Sequence, residues 1–233
     1  MSLLPVLPAH AARMRVPVLI DYPLLDAALK ARLYTGPGGS AALWTGSDQC
    51  QYFYATNPRF ERGTKGVRLE TNGDLNLGMA LGGQCLNAVE WSGIVQIDAA
   101  PYIDHLALKL RVTNANLYDP SHQKAALVER GFDLVKGSFI PQLETFTYDV
   151  KPRIARLKQV VVASAPSDQA ARIDQVLASL TADSAVIAED RGVLVTFEAV
   201  VPDDMAPAVS QALASLSAER GEVELAAPAA LQH

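Results

Sequence analysis

The chain is poor in the residues that do chemistry. Its four histidines, His10, His105, His122 and His233, are scattered through 233 residues, and its cysteines are Cys50 and Cys85. There is no Gly-x-Ser-x-Gly elbow, no His-Glu-x-x-His pair and no phosphate-binding P-loop. Gly36, Gly38 and Ala41 have dinucleotide-fingerprint spacing, but they follow a predicted helix, whereas a phosphate loop must follow a strand and open a helix. Asp203 and Asp204 form an acidic pair at a predicted helix start, where the helix dipole already favours carboxylates. His105 beside Asp104 reads as solvated surface. The expectation is a protein that is not an enzyme and needs no cofactor and no metal.

Other scarcities narrow the partners. With 20 Lys+Arg against 25 Asp+Glu, net charge -5, and no basic cluster, nucleic acid is not expected as a partner. Strong attraction to anionic membranes is disfavoured for the same reason. No apolar run approaches the roughly 20 residues of a transmembrane helix, so no transmembrane segment is expected. The opening MSLLPVLPAHAA is too short and too broken by proline for a complete signal peptide.

What is present is apolar patterning. Nearly half of the residues (49%) are hydrophobic, enough for a globular core. In GVRLETNGDLNLGMALGG, residues 66–83, Val67, Leu69, Thr71, Leu75, Leu77, Met79 and Leu81 share one parity. Arg68, Glu70, Asn72, Asp74 and Asn76 share the other, the mark of a half-buried strand. Asn72-Gly73 is a turn signal. The expectation is a bulged hairpin looping at 72–74, with Leu69 opposite Leu77 and Val67 opposite Met79.

Around it, RMRVPVLIDY reads as a strand, and DYPLLDAALKARLY as a helix with Pro23 in its first turn. CQYFY alternates. NAVEWSGIVQIDA places Val89, Trp91, Val95 and Ile97 on one face, and HLALKLRVTN places Leu106, Leu108, Leu110 and Val112 inward. Such strands in succession imply an antiparallel meander with one wet face. A helix opening at Asp119-Pro120 would then turn Val128, Phe132, Val135 and Phe139 inward. Cys50 and Cys85 are either two buried thiols or one disulfide tying the strand near Tyr52 to the end of the hairpin; a bridge, expected in exported protein, means an oxidising compartment.

After Lys158 the chain becomes Ala-rich and, apart from Phe197, free of aromatics. Strand LKQVVVASA, helix SDQAARIDQVLASL, strands SAVIAED and GVLVTFEAVV, helix PDDMAPAVSQALASL and strand GEVELAA give the order β-α-β-β-α-β. That is a ferredoxin-like pattern, or the completion of the first sheet. The fold class expected is α+β: residues 14–157 as a long twisted antiparallel sheet wrapped on two amphipathic helices, and 158–227 as a small α+β unit.

VPVLIDYPLLDAALKARL, then CQYFY with the Gly-punctuated GVRLETNGDLNLGMAL, then Cys85, resembles the TULIP-type lipid-binding folds. These include the bactericidal permeability-increasing proteins and synaptotagmin-like lipid-transfer domains. More narrowly, the chain resembles a bacterial envelope family of domains of unknown function. IDQVLASLTADSAVIAEDRGVLVTFEAVV resembles the helix-turn-strand passage later in such chains. The resemblance implies a periplasmic or outer-membrane-associated protein, an export signal already removed, and a lipid or other hydrophobic small molecule as partner. The apolar faces supply the candidate ligand-binding residues: Leu75, Leu77, Met79, Leu81, Trp91, Leu106, Leu108, Leu110, Phe132, Val135 and Phe139. The alternative is a protein-interaction domain of an envelope assembly, in which the same residues only fill a core.

Overall fold

A computed structural model describes residues 11–164, 167–207 and 209–211. It is α+β, and its largest feature is a curled six-stranded antiparallel sheet. The strands and helices in order are β1 (Ala11–Asp21), α1 (Tyr22–Leu33), β2 (Ser40–Thr45), β3 (Gln51–Gly63), β4 (Gly66–Leu81), β5 (Gln84–Asp104) and β6 (Ala107–Tyr118). They continue with α2 (Ala126–Glu144), β7 (Thr147–Asp149), α3 (Lys151–Ser164), α4 (Ala170–Ala178), β8 (Thr181–Ala188) and β9 (Gly192–Pro202). The chain divides into two compact units, one of them formed by Ile20–Tyr148 with Val186–Leu194. The composition change at Lys158 falls inside α3.

The larger unit holds the sheet, in the order β2-β3-β4-β5-β6-β7. Its alternation along β4 is the alternation of the sequence: Val67, Leu69, Thr71 and Leu75 are buried, all on one face. The expected hairpin at Asn72-Gly73 does not form. Asn72 pairs with Thr56 on one side and Ile94 on the other, and β4 runs through as 16 residues. The reason is packing. A Cβ on Gly73 would stand 2.5 Å from Val95 Cγ2 and 2.8 Å from Trp91 Cζ3, so this glycine gives room for close packing inside a strand. The reversal comes instead at Gly82 and Gly83, both with positive φ.

The buried face is covered by α1 and α2. In α1, Pro23 occupies the first turn, where no donor is needed, and Leu25 and Leu29 are fully buried. In α2, Phe132 and Phe139 stack at 5.4 Å, and both meet Phe53 of β3 edge-on at 5.7 Å. Such geometry adds to what the buried area already contributes. A second ring contact, Phe60 with Phe146 at 6.1 Å, closes the far end. One polar thread crosses this core: the Tyr34 hydroxyl meets Thr71 Oγ1 at 3.1 Å, and Thr71 donates to the Thr56 carbonyl at 2.6 Å.

Two local expectations change. α2 begins at Ala126, because Asp119 closes a loop by accepting from the Ser121 and Gln123 N–H groups and so does not cap a helix. His105 and Leu106, expected in a strand, form the two-residue turn between β5 and β6, both at positive φ.

β1, β9 and β8 form a second sheet in that order, and in the other unit α3 and α4 pack together. Ile173, Val176 and Leu177 of α4 are buried, as the helical spacing predicts. LKQVVVASA, expected as a strand, is helical as far as Ser164: Ile154 and Val161 of α3, two turns apart, are its buried positions. Lys158 pairs with Asp174 at 3.3 Å and Arg172 with Asp204 at 2.5 Å. Glu198 faces Arg13 and Arg15. The strand expected at 221–227 and the end of the helix before it, residues 212–216, lie outside the described residues.

Candidate functional site

The eleven apolar residues singled out in the sequence separate along the sheet. Leu75, Trp91, Leu108, Leu110, Phe132 and Phe139 are buried. Leu77 is half-buried on β4, and Leu106 half-buried in its turn. Met79 is 61% exposed and Leu81 64%. Val135 lies on α2, but its side chain is outside the described residues, as is that of Val128.

The separation follows the β4–β5 ladder. Its cross-strand pairs run Leu75–Trp91, Leu77–Val89, Met79–Leu86 and Leu81–Gln84, with a bulge between the second and third. Exposure rises in that order: the first pair is buried, the second half-buried, and in the third Leu86 is 52% exposed beside Met79. The apolar face therefore continues beyond its cover. From Leu77 to Val89 no side chain carries a charge.

Two features hold this tip. Cys50 and Cys85 form a disulfide with Cα atoms 5.4 Å apart, and the Gly78 N–H donates to the Cys50 carbonyl at 3.0 Å. The bridge settles the choice left open by the sequence. The outer edge is open: β6 begins to pair with β5 at Ile94, so residues 84–93 have no ladder partner on that side among the described residues.

The space lined by Leu29, Phe60, Leu69, Ile97, Leu110 and Phe146 has a volume of about 10 Å³, room for at most one water. Trp91 marks the border. Its ring lies against Gly73 and Gly93, and its indole N–H is buried without an acceptor among the described residues.

The opposite face of the same strands is polar. Tyr54, Asp74 and Ser92 are aligned across β3, β4 and β5, and Tyr52, Asn76 and Glu90 form the next row. The sequence placed Asp74 and Asn76 on one parity of β4, but only the register reveals their neighbours. Burial and the nearby Asp74 and Glu90 carboxylates raise the Tyr52 hydroxyl above its usual pKa. At the β5–β6 turn, Lys109 meets Asp104 at 2.5 Å, and this contact holds the carboxyl below its usual range. His105 Nε2 lies 3.6 Å from the same carboxylate and is fully open to solvent.

Among the described residues no group of His, Cys, Asp and Glu is placed to hold a metal ion, and no helix is long and apolar enough to cross a membrane. No protein-family model matches this chain, and no curated protein matches it.

Proposed function

We propose that this protein binds, without catalysis, a lipid or another hydrophobic molecule of the bacterial cell envelope, and that the uncovered end of the β4–β5 ladder makes the contact. The observation that carries the reading is the exposed trio Met79, Leu81 and Leu86 on a charge-free tip. Removing a Leu or Met side chain fully from water contributes about 1.5–3 kcal/mol, so three together suffice for useful affinity. The thioether of Met79 adapts to irregular apolar partners. The sequence's likeness to TULIP-type domains supports the same reading. We place the protein in the periplasm or at the outer membrane, a choice supported by the Cys50–Cys85 bridge.

The test is flotation with neutral vesicles. Wild type should float, and the Met79→Ser/Leu81→Ser/Leu86→Ser variant should stay in the dense fraction with an unchanged melt. Equal partition of the two proteins would defeat the reading. A second reading, docking of another protein, is favoured by the open edge of β5, because unpaired strand groups accept an added strand. It predicts that Ala88→Pro abolishes capture of a partner while flotation persists.

A further inference from the structure

We propose that the thioether of Met79 is a reversible oxidation site, and that its conversion to the sulfoxide switches off the apolar contact of the β4–β5 tip. The switch rests on the contact proposed above. Met79 stands in the middle of that contact. It pairs with Leu86 across the ladder, and Leu81 follows two residues on along β4. All three side chains are exposed, Met79 by 61%.

The placement of the sulfurs makes the oxidation selective. Cys50 and Cys85 are joined and no cysteine is free, so no thiolate competes for the oxidant. Of the four methionines, Met1 lies outside the described residues. Met205 is 2% exposed. Met14 is half-buried, with its sulfur 3.9 Å from the Ser210 hydroxyl. Among the described residues a peroxide therefore meets the Met79 sulfur first.

The step balances with hydrogen peroxide as oxidant. A sulfur lone pair attacks one peroxide oxygen, and the S–O bond forms as the O–O bond breaks. The hydroxide that leaves takes the proton of the new S–OH group and departs as water. Sulfur loses two electrons and the peroxide gains them. A methionine sulfoxide reductase reverses the change, drawing two electrons from a pair of thiols that becomes a disulfide.

The product places a strong hydrogen-bond acceptor at the centre of the trio, on a stretch with no charged side chain from Leu77 to Val89. Moving such a group out of water without a donor is unfavourable, so the face stops acting as an apolar one. The fold is spared. The Met79 side chain lies outside the core, and the tip is held at its root by the disulfide and by the Gly78 N–H donating to the Cys50 carbonyl. Oxidation of a packed methionine disrupts a core; at Met79 it changes the contact surface alone.

The full chain is treated with dilute hydrogen peroxide and followed by peptide mass spectrometry, thermal melts and flotation with neutral vesicles. The sulfoxide should form at Met79 well before Met14 or Met205. Affinity for the vesicles should fall about tenfold or more with an unchanged melt. Methionine sulfoxide reductases for both epimers should restore it. The Met14→Leu/Met205→Leu variant should respond to peroxide as wild type does. Met79→Leu should not respond, the flotation of each protein before treatment serving as its own reference. Equal oxidation of Met14 or Met205, or an equal response in Met79→Leu, overturns the proposal. Full oxidation of Met79 with flotation retained defeats the switch and leaves the contact standing. Untreated wild type that does not float defeats the contact, and the switch with it.

Discussion

One ladder, β4 with β5, behaves as two regions. Between Val67 and Leu75 its apolar face is sealed under α1 and α2; from Leu77, half-buried, to Met79 and Leu81 the same alternation runs out from under that cover among the described residues. The covered region is built as a core, with three interlocked phenylalanines and a cavity no larger than one water. The bare region is built as a hairpin tip, with glycines at its turn and a disulfide near its root. Identical patterning serves stability at one end and remains available for contact at the other. The difference lies in where the helices stop.

Mutations should separate the two regions by size of effect. Phe53→Ala removes the ring that joins β3 to both phenylalanines of α2 and should cost about 3–5 kcal/mol in denaturant unfolding. Replacing Cys50 and Cys85 together by serine opens a loop spanning a sequence separation of 35 residues. The chain-entropy model sets that loss at about 3–4 kcal/mol, and it should be read as a lower thermal midpoint together with easier proteolysis near Gly82-Gly83. Gly73→Ala forces a methyl against Val95 and Trp91 and should cost about 1–3 kcal/mol. If it is neutral, the close packing at this glycine is not what holds β4 straight.

Smaller effects sharpen the contrast. Burial pushes the Tyr34 hydroxyl up to about 12, its hydrogen bond to Thr71 opposing that only in part. A folded-state pKa raised above the unfolded value of about 10 means stability is complete below pH 10 and is lost as pH rises through about 12. Tyr34→Phe should cost about 1 kcal/mol at neutral pH and remove this alkaline loss; parallel melts of both proteins from pH 8 to alkaline pH check it. At the bare end, Met79→Ser should change stability by no more than about 0.5 kcal/mol.

Much of this was legible in the sequence. The parity of β4, the proline-led start of α1 and the inward Phe132 and Phe139 all follow from spacing, and each is seen. Asn72-Gly73 misleads because the signal for a tight turn and the signal for close approach within a strand are the same glycine; Trp91, a distant residue, decides between them. The valine-rich run in α3 carries strand propensity, but Ile154 and Val161 bury at helical spacing, and packing overrides propensity. The turn at His105-Leu106 has no glycine or asparagine to announce it. Which apolar residues are covered, and which polar residues of β3, β4 and β5 stand side by side, depends on register and on helix length, neither of which local patterning contains.

The most direct test of the contact is hydrogen–deuterium exchange of the wild-type protein with and without neutral vesicles. New protection should be confined to residues 78–90, with the ladder under α1 and α2 unchanged. Protection that appears elsewhere, or none at all under conditions where the protein floats with the vesicles, would contradict it.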